Sequence, residues 1–125
     1  MGKRIQMGSA LSAADYIELG FLRAAYVREV GALAAAYDAI LMPTAPCIAP
    51  TIAETDATDE AFFRWTLRIV RNTGLVNFLD GCAASVPCHA PGAAPVGLMI
   101  CGVSLADRHV LAVAAAIERA LRSRA

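Results

Sequence analysis

Asn77 to Gly102, NFLDGCAASVPCHAPGAAPVGLMICG, is the run that decides how this chain folds. It reads as two short strands, 83–89 and 96–101, joined by a turn that Pro91, Gly92 and Pro95 punctuate. Both strands are apolar at successive positions, and successive side chains of a strand leave by opposite faces. Both faces of the hairpin must therefore be covered by helices or by other protein. The same alternation separates Cys88 from His89. Neighbours in one strand cannot serve each other as nucleophile and base.

Working outward, residues 39–42 form a brief apolar strand stopped by Pro43. Ahead of it, Ser12 and Asp15 have the spacing of a capping box that opens a helix ending near Tyr37 and Asp38. Leu19, Leu22, Tyr26, Val30, Leu33 and Tyr37 recur on one face of that helix at spacings of three and four. Gly20, Ala24, Val27 and Gly31 make a second strip of small residues. Tyr16, Tyr26 and Tyr37 are expected to pack rather than to react. Residues 51–58 read as a polar loop, and a helix follows over 59–73, with Gly74 as its stop. Its buried side carries Trp65 among Phe62, Thr66, Ile69, Val70 and Thr73, while Glu60, Arg64, Arg68 and Arg71 face water. Beyond the hairpin, Ser104 and Asp107 match a capping box for a last helix reaching about Arg122, with a stripe of Val110, Leu111, Ala114, Ile117 and Leu121. The order is α-β-α-β-β-α, an α/β fold in one domain over 1–125, with a small mixed sheet covered by helices. The first β-α-β unit should cross over right-handed and pair its strands in parallel. The last two strands should pair antiparallel.

Composition narrows the functions. Eleven acidic and eleven basic residues give a net charge of zero without any basic block, so no nucleic-acid partner is expected. No apolar run reaches the roughly 18 residues of a membrane span. The first residues, MGKRIQMGSA, lack the apolar core of a signal peptide, and a cytoplasmic location is expected. Hydrophobic residues make up 58%, and the mean hydropathy is +0.53, much of it alanine. That is more apolar surface than 125 residues can easily hide, so a partner is expected. The four cysteines, Cys47, Cys82, Cys88 and Cys101, suit reduced, mostly buried thiols. With His89 they lack zinc-ligand spacing, and neither a metal nor a cofactor is expected.

The central run also resembles a signature of the amidase family, whose catalytic residues are a serine, a cis-serine and a lysine. Family members carry Asn-x-x-Gly-x-Pro-Ala-x-Ser-x-Pro, a variable turn, then Pro-x-Gly-Leu and an apolar strand. Asn77, Ala83, Ser85 and Pro87 match the first part, and Pro95, Gly97 and Leu98 the second, while Asp80 and Cys82 depart from it. YDAILMPTAPCIAP, from Tyr37 to Pro50, is similar to the family's Tyr-Asp-x-Leu-x-x-Pro-Thr-x-Pro element. Arg4, Ile5 and Gly8 match an Arg-Ile-x-x-Gly run. The resemblance spans 4–121 and corresponds to the last quarter or so of a family member. It implies that the strand after Tyr37 enters the central sheet and that its proline-rich loop follows the edge of the substrate cavity. It also makes Arg4 a candidate substrate-binding residue that forks onto a carboxylate, the alternative being a solvated arginine. In such enzymes the lysine deprotonates the cis-serine, which relays the proton from a nucleophilic serine attacking an amide carbonyl. These groups lie in a Gly-Ser-rich segment that is not in this sequence, where Lys3 is the sole lysine. No residue here is assigned a catalytic role. The expectation is the C-terminal portion of an amidase-like hydrolase of carboxamide C–N bonds, inactive alone. It would work as a homodimer or with an N-terminal amidase part on a separate chain. The other reading is a self-associating assembly module without catalysis.

Overall fold

The computed structural model describes residues 2–123. In chain order its elements are α1 (Gly2–Met7), a 3-10 turn (Gly8–Ala10), α2 (Ala13–Ala34), β1 (Ile40–Pro43), α3 (Ile52–Thr55), α4 (Asp59–Ile69), α5 (Arg71–Leu79), β2 (Cys82–Pro87), β3 (Gly97–Gly102) and α6 (Asp107–Arg122). The α/β class and the order hold, with short helices added and the middle helix in two pieces.

The sheet order is β1-β3-β2. The hairpin forms as expected, with β2 antiparallel to β3. Against expectation, β1 does not pair in parallel with β2 but joins the far edge of β3, antiparallel, with Met42 opposite Met99. The reason is burial. β3 carries the most thoroughly apolar run, with Met99, Ile100 and Cys101 each at most 3% exposed. The central position is the one where a strand is flanked on both edges, so β3 takes it and β1 takes the edge left open by the hairpin.

One face of the sheet packs Val86 and Ile100 against Val110 and Ala114 of α6. The other gathers Val76 of α5 onto Met99 and Cys101, with Ile40 and Met42 alongside. Leu111 is one helical step past Val110 and points to solvent, so it drops out of the expected stripe. The Ser104–Asp107 box does not form. Ala106 is the cap residue and uses no side chain, because Leu105 adopts a left-handed φ of 63° and swings Ser104 away. Asp107 still lies in the first turn, where a carboxylate suits the helix dipole.

The long helix α2 starts as its sequence dictates. Ser12 Oγ accepts from the Asp15 amide at 3.1 Å, and the Asp15 carboxylate accepts from the Ser12 amide at 2.8 Å. The Ser12 hydroxyl and amide together hold the Asp15 carboxyl below its ordinary pKa. A carboxyl depressed in the folded state stabilises above its unfolded pKa, and that stabilisation is lost as pH falls through the folded value. We expect the Asp15 side-chain resonance to titrate lower than a free aspartate, and Ser12→Ala, which removes the hydroxyl but not the amide, to raise it toward the ordinary range. An unchanged midpoint in the variant would remove the cap.

Apolar residues surround α2, so periodicity alone cannot choose its inner face. The face turned to the protein is Tyr26, Val27, Val30, Gly31 and Ala34, all half-buried, and the Tyr26 ring lies 5.5 Å from Phe78 of α5. The contact of Tyr26 with Phe78 selects this face, while Gly20 and Ala24 of the strip of small residues stay exposed. Leu19, Leu22, Leu33 and Tyr37 of the expected stripe are exposed, as is Tyr16, so Tyr26 alone of the three tyrosines packs. The helix also ends at Ala34, short of Tyr37.

The middle helix breaks at Val70, whose ψ of 3° leaves the helical range. Gly74 lies inside α5 and does not end it; Asp80, with a left-handed φ of 62°, does. The stretch expected as a polar loop holds α3, capped by Thr51 and Glu54. Trp65 is half-buried rather than in the core, with the Arg68 guanidinium 5.3 Å from its ring. Phe62 and Val70, placed beside it on the expected inner side, are exposed. Of the four free cysteines only Cys101 is buried and Cys88 is exposed, which corrects the expectation of mostly buried thiols. Burial, then the neighbouring Cys82, pushes the Cys101 thiol up in pKa. Among the described residues no helix is long and apolar enough to cross a membrane.

Candidate functional site

The antiparallel registers place Thr44, Gly97 and Ser85 on one face, Thr44 beside Gly97 and Ser85 diagonally across from it. Pro43 stands opposite Leu98, so Thr44 falls beside Gly97, and its amide donates to the Gly97 carbonyl at 2.8 Å. Ser85 stands opposite Met99 on the other side of β3. Side chains on strands two apart do not ordinarily meet, because the strand between them carries its own. Gly97 carries none. The Thr44 and Ser85 hydroxyls therefore close over it at 2.6 Å. A Cβ at Gly97 would stand 2.5 Å from Ser85 Oγ and 2.8 Å from Thr44 Oγ1.

Asn72 fixes this arrangement from below. It is the one buried polar side chain among the described residues, and its amide donates to the Pro43 carbonyl at 2.7 Å. That bond ties the break between α4 and α5 to the start of the proline-rich loop. Pro43, Pro46 and Pro50 then restrict the loop's φ angles.

The hydroxyl pair borders an open cleft of about 600 Å³, within the size range of small-molecule sites. Pro43 to Ile48 line one side, and Ser85, Pro87, His89 and Pro95 to Gly97 the other. His89 holds the turn. The Val96 amide donates to His89 Nδ1 at 3.2 Å, and the Val96 carbonyl already accepts the Cys88 amide at 3.0 Å. His89 Nδ1 is thus an acceptor for the Val96 N–H. A cleft of similar volume, about 610 Å³, lies on the far side of the turn, between residues 87–91 and the end of α6. It contains the Arg122–Glu118 ion pair at 2.6 Å, which satisfies its charges internally.

The Arg4 side chain, the candidate carboxylate ligand, lies outside the described residues. Ser85, which matches the signature, has the Thr44 hydroxyl as its partner and no base. Cys88 leans its thiol on the Val96 carbonyl, while His109 bonds the Asp38 carbonyl at 2.9 Å, so neither serves the other. Among the described residues no group of three histidine, cysteine or acidic side chains is placed to hold a metal. Sequence reasoning reached Thr44, Ser85 and Gly97 only as members of matched elements. Their meeting is a matter of register, which period-two alternation would have revealed once β1 was placed beside β3.

A helix-covered sheet with a proline-walled cleft at one end of its strands is a small-molecule-site architecture. The comparisons with known proteins specify it further. The amidase family model matches residues 1–111, and the chain belongs to that family. It is 29% identical to one subunit of a glutamyl-tRNA(Gln) amidotransferase, from Sulfurisphaera tokodaii, over 95% of this chain and 25% of that protein. It is 30% identical to the corresponding polypeptide of Saccharolobus solfataricus over 94% of this chain and 25% of that one. A 2-amino-5-chloromuconic acid deaminase of Comamonas testosteroni is 28% identical over 92% of this chain and 25% of its own length. The chain thus spans about a quarter of the length of these relatives. No solved structure matches it.

Proposed function

We propose that the chain is the C-terminal portion of an amidase-like hydrolase acting on carboxamide C–N bonds, and that it supplies sheet strands and one wall of the substrate cavity. The observation that carries this reading is the cleft at the signature residues, with Thr44, Ser85 and Gly97 locked together along its edge. The relatives' names support it, since an amidotransferase and a deaminase both work at a carbon–nitrogen bond. The nucleophile, the cis-serine and the lysine would come from the Gly-Ser-rich segment of the family, and the assembled enzyme would work in the cytoplasm. The purified chain should therefore turn over neither carboxamides nor esters. Adding a polypeptide that bears the catalytic segment of a family member should restore amide hydrolysis. Turnover by the chain alone that disappears in Ser85→Ala or Cys47→Ala would sink this assignment.

The partner would cover α2. Leu19, Leu22 and Leu33 share one face of α2 and are 45%, 59% and 75% exposed. β1 and β2 each also leave one edge of the sheet open. Lacking the remainder of the enzyme, the chain should bury this face against a second copy, which is the smallest closed arrangement. Light scattering should give about twice the 13.1 kDa chain mass, and Leu22→Asp should return it to a monomer. A clean monomer at micromolar concentration would contradict this.

A further inference from the structure

We infer that the pocket between the end of α2, the start of β1 and the first turn of α6 binds a primary alkylammonium group on a short apolar stem. The inference is independent of the hydrolase reading. The pocket lies at Ile40 and Cys101, the opposite end of β1 and β3 from Pro43 and Gly97. Its volume is about 260 Å³, just under the usual range for ligand sites, so it suits a small guest. The body of the pocket is apolar. Ala34, Ala39, Ile40, Val103 and Ala106 line it, and it reaches down to Cys101, which is 1% exposed. Gly31 gives it room, since a Cβ built there meets no atom within 4 Å. A methylene chain entering this space gains by leaving water. The charge stands at the mouth. Asp38 lines it, and among the described residues the one ion-pair partner of its carboxylate is His109, at 3.9 Å. His109 also fixes the corner that carries the carboxylate. Its Nε2 donates to the Asp38 carbonyl at 2.9 Å, because a carbonyl can only accept. The end of α2 adds charge of the same sign. Its last turn holds no basic residue, so the negative end of the helix dipole is unmatched there. Tyr37 brings an exposed aromatic ring to the same mouth, and the face of such a ring attracts a cation. An alkylammonium answers both the floor and the mouth. An alcohol would meet only the floor, and a carboxylate would be repelled by Asp38. With 22 residues in α2 and 16 in α6, the helix ends that adjoin the chain termini stand about 33 Å and about 24 Å from this pocket. Its charge balance is therefore set locally, by Asp38, His109 and the end of α2.

The test is binding to the full chain, followed by amide chemical shifts of the isotopically labelled protein. The probes are n-butylammonium, n-butanol and butyrate, which share a short alkyl stem and differ in charge. n-Butylammonium should shift the amides of Ala35, Ala39, Ile40, Val103 and His109 with millimolar affinity. n-Butanol should bind roughly fivefold more weakly, the worth of one exposed ion pair, and butyrate should leave these amides in place. Asp38→Asn, at an exposed position where folding is not at stake, removes the charge and keeps the shape. It should bring n-butylammonium down to the level of n-butanol. Gly31→Leu fills the pocket and improves on glycine as a helix former, so it should abolish binding of both probes while the amides of β2 keep their shifts. n-Butylammonium binding no tighter than n-butanol would overturn the inference. So would an Asp38→Asn variant that binds n-butylammonium as the wild type does, and so would the absence of shifts at this wall.

Discussion

Ile100→Ala should destabilise the protein by about 2–5 kcal/mol, the usual cost of emptying a closed aliphatic site. Ile100 is fully buried at the middle of the central strand. It touches the packing of β2 through Val86 and of α6 through Val110 and Ala114, so no single element can move in to fill the space. The loss falls on a molecule with little to spare, since a domain of this size holds only about 5–15 kcal/mol. The strands beside Ile100 cannot relax, because both their ladders run through β3. Urea unfolding should show a lower midpoint with an unchanged slope, and Ile100→Val should lose only about 0.5–1.5 kcal/mol. A shift in Ile100→Ala no larger than that of Ile100→Val would mean that α6 does not pack on this face.

What is legible in the sequence, and what is hidden there, shows in three stretches with one spelling. Ser12-x-x-Asp15 reads as a capping box and is one. Thr51-x-x-Glu54 has the same form and caps α3, yet it lies in a polar stretch with too few apolar positions to suggest a helix. Ser104-x-x-Asp107 also has the form and makes no box, because a box needs an extended backbone at its first residue, and the left-handed turn at Leu105 moves the cap to Ala106. Local pattern names the partners but does not fix the dihedral that brings them together. The sheet repeats the lesson at longer range. The hairpin is legible because its turn residues and its two apolar runs are adjacent in sequence. The position of β1 is not, because the choice of edge depends on which strand buries most. The cleft follows from that choice, so its composition is visible in the proline-rich loop while its geometry is not. On α2 the apolar residues are visible too, but they surround the helix, and contact with Phe78 chooses the face.

Gly97→Ala should cost about 1–3 kcal/mol, as overpacking does, and should break the Thr44–Ser85 bridge at the same time. The new methyl group would stand 2.5 Å from Ser85 Oγ and 2.8 Å from Thr44 Oγ1, so the hydroxyl pair must open. Backbone strain plays no part, since Gly97 is not among the residues with positive φ. The obstacle is the bridge above the strand, and that makes the cause separable. Ser85→Ala alone removes one hydroxyl and leaves Thr44 free to rotate. In that background Gly97→Ala should cost less than it does in the wild type, giving a favourable coupling in a double-mutant cycle. A glycine kept merely for chain flexibility would cost the same in both backgrounds. The double variant should recover stability relative to Gly97→Ala alone, because the methyl no longer meets a hydroxyl at residue 85. Equal cost in both backgrounds would show that the Thr44–Ser85 bridge does not constrain Gly97.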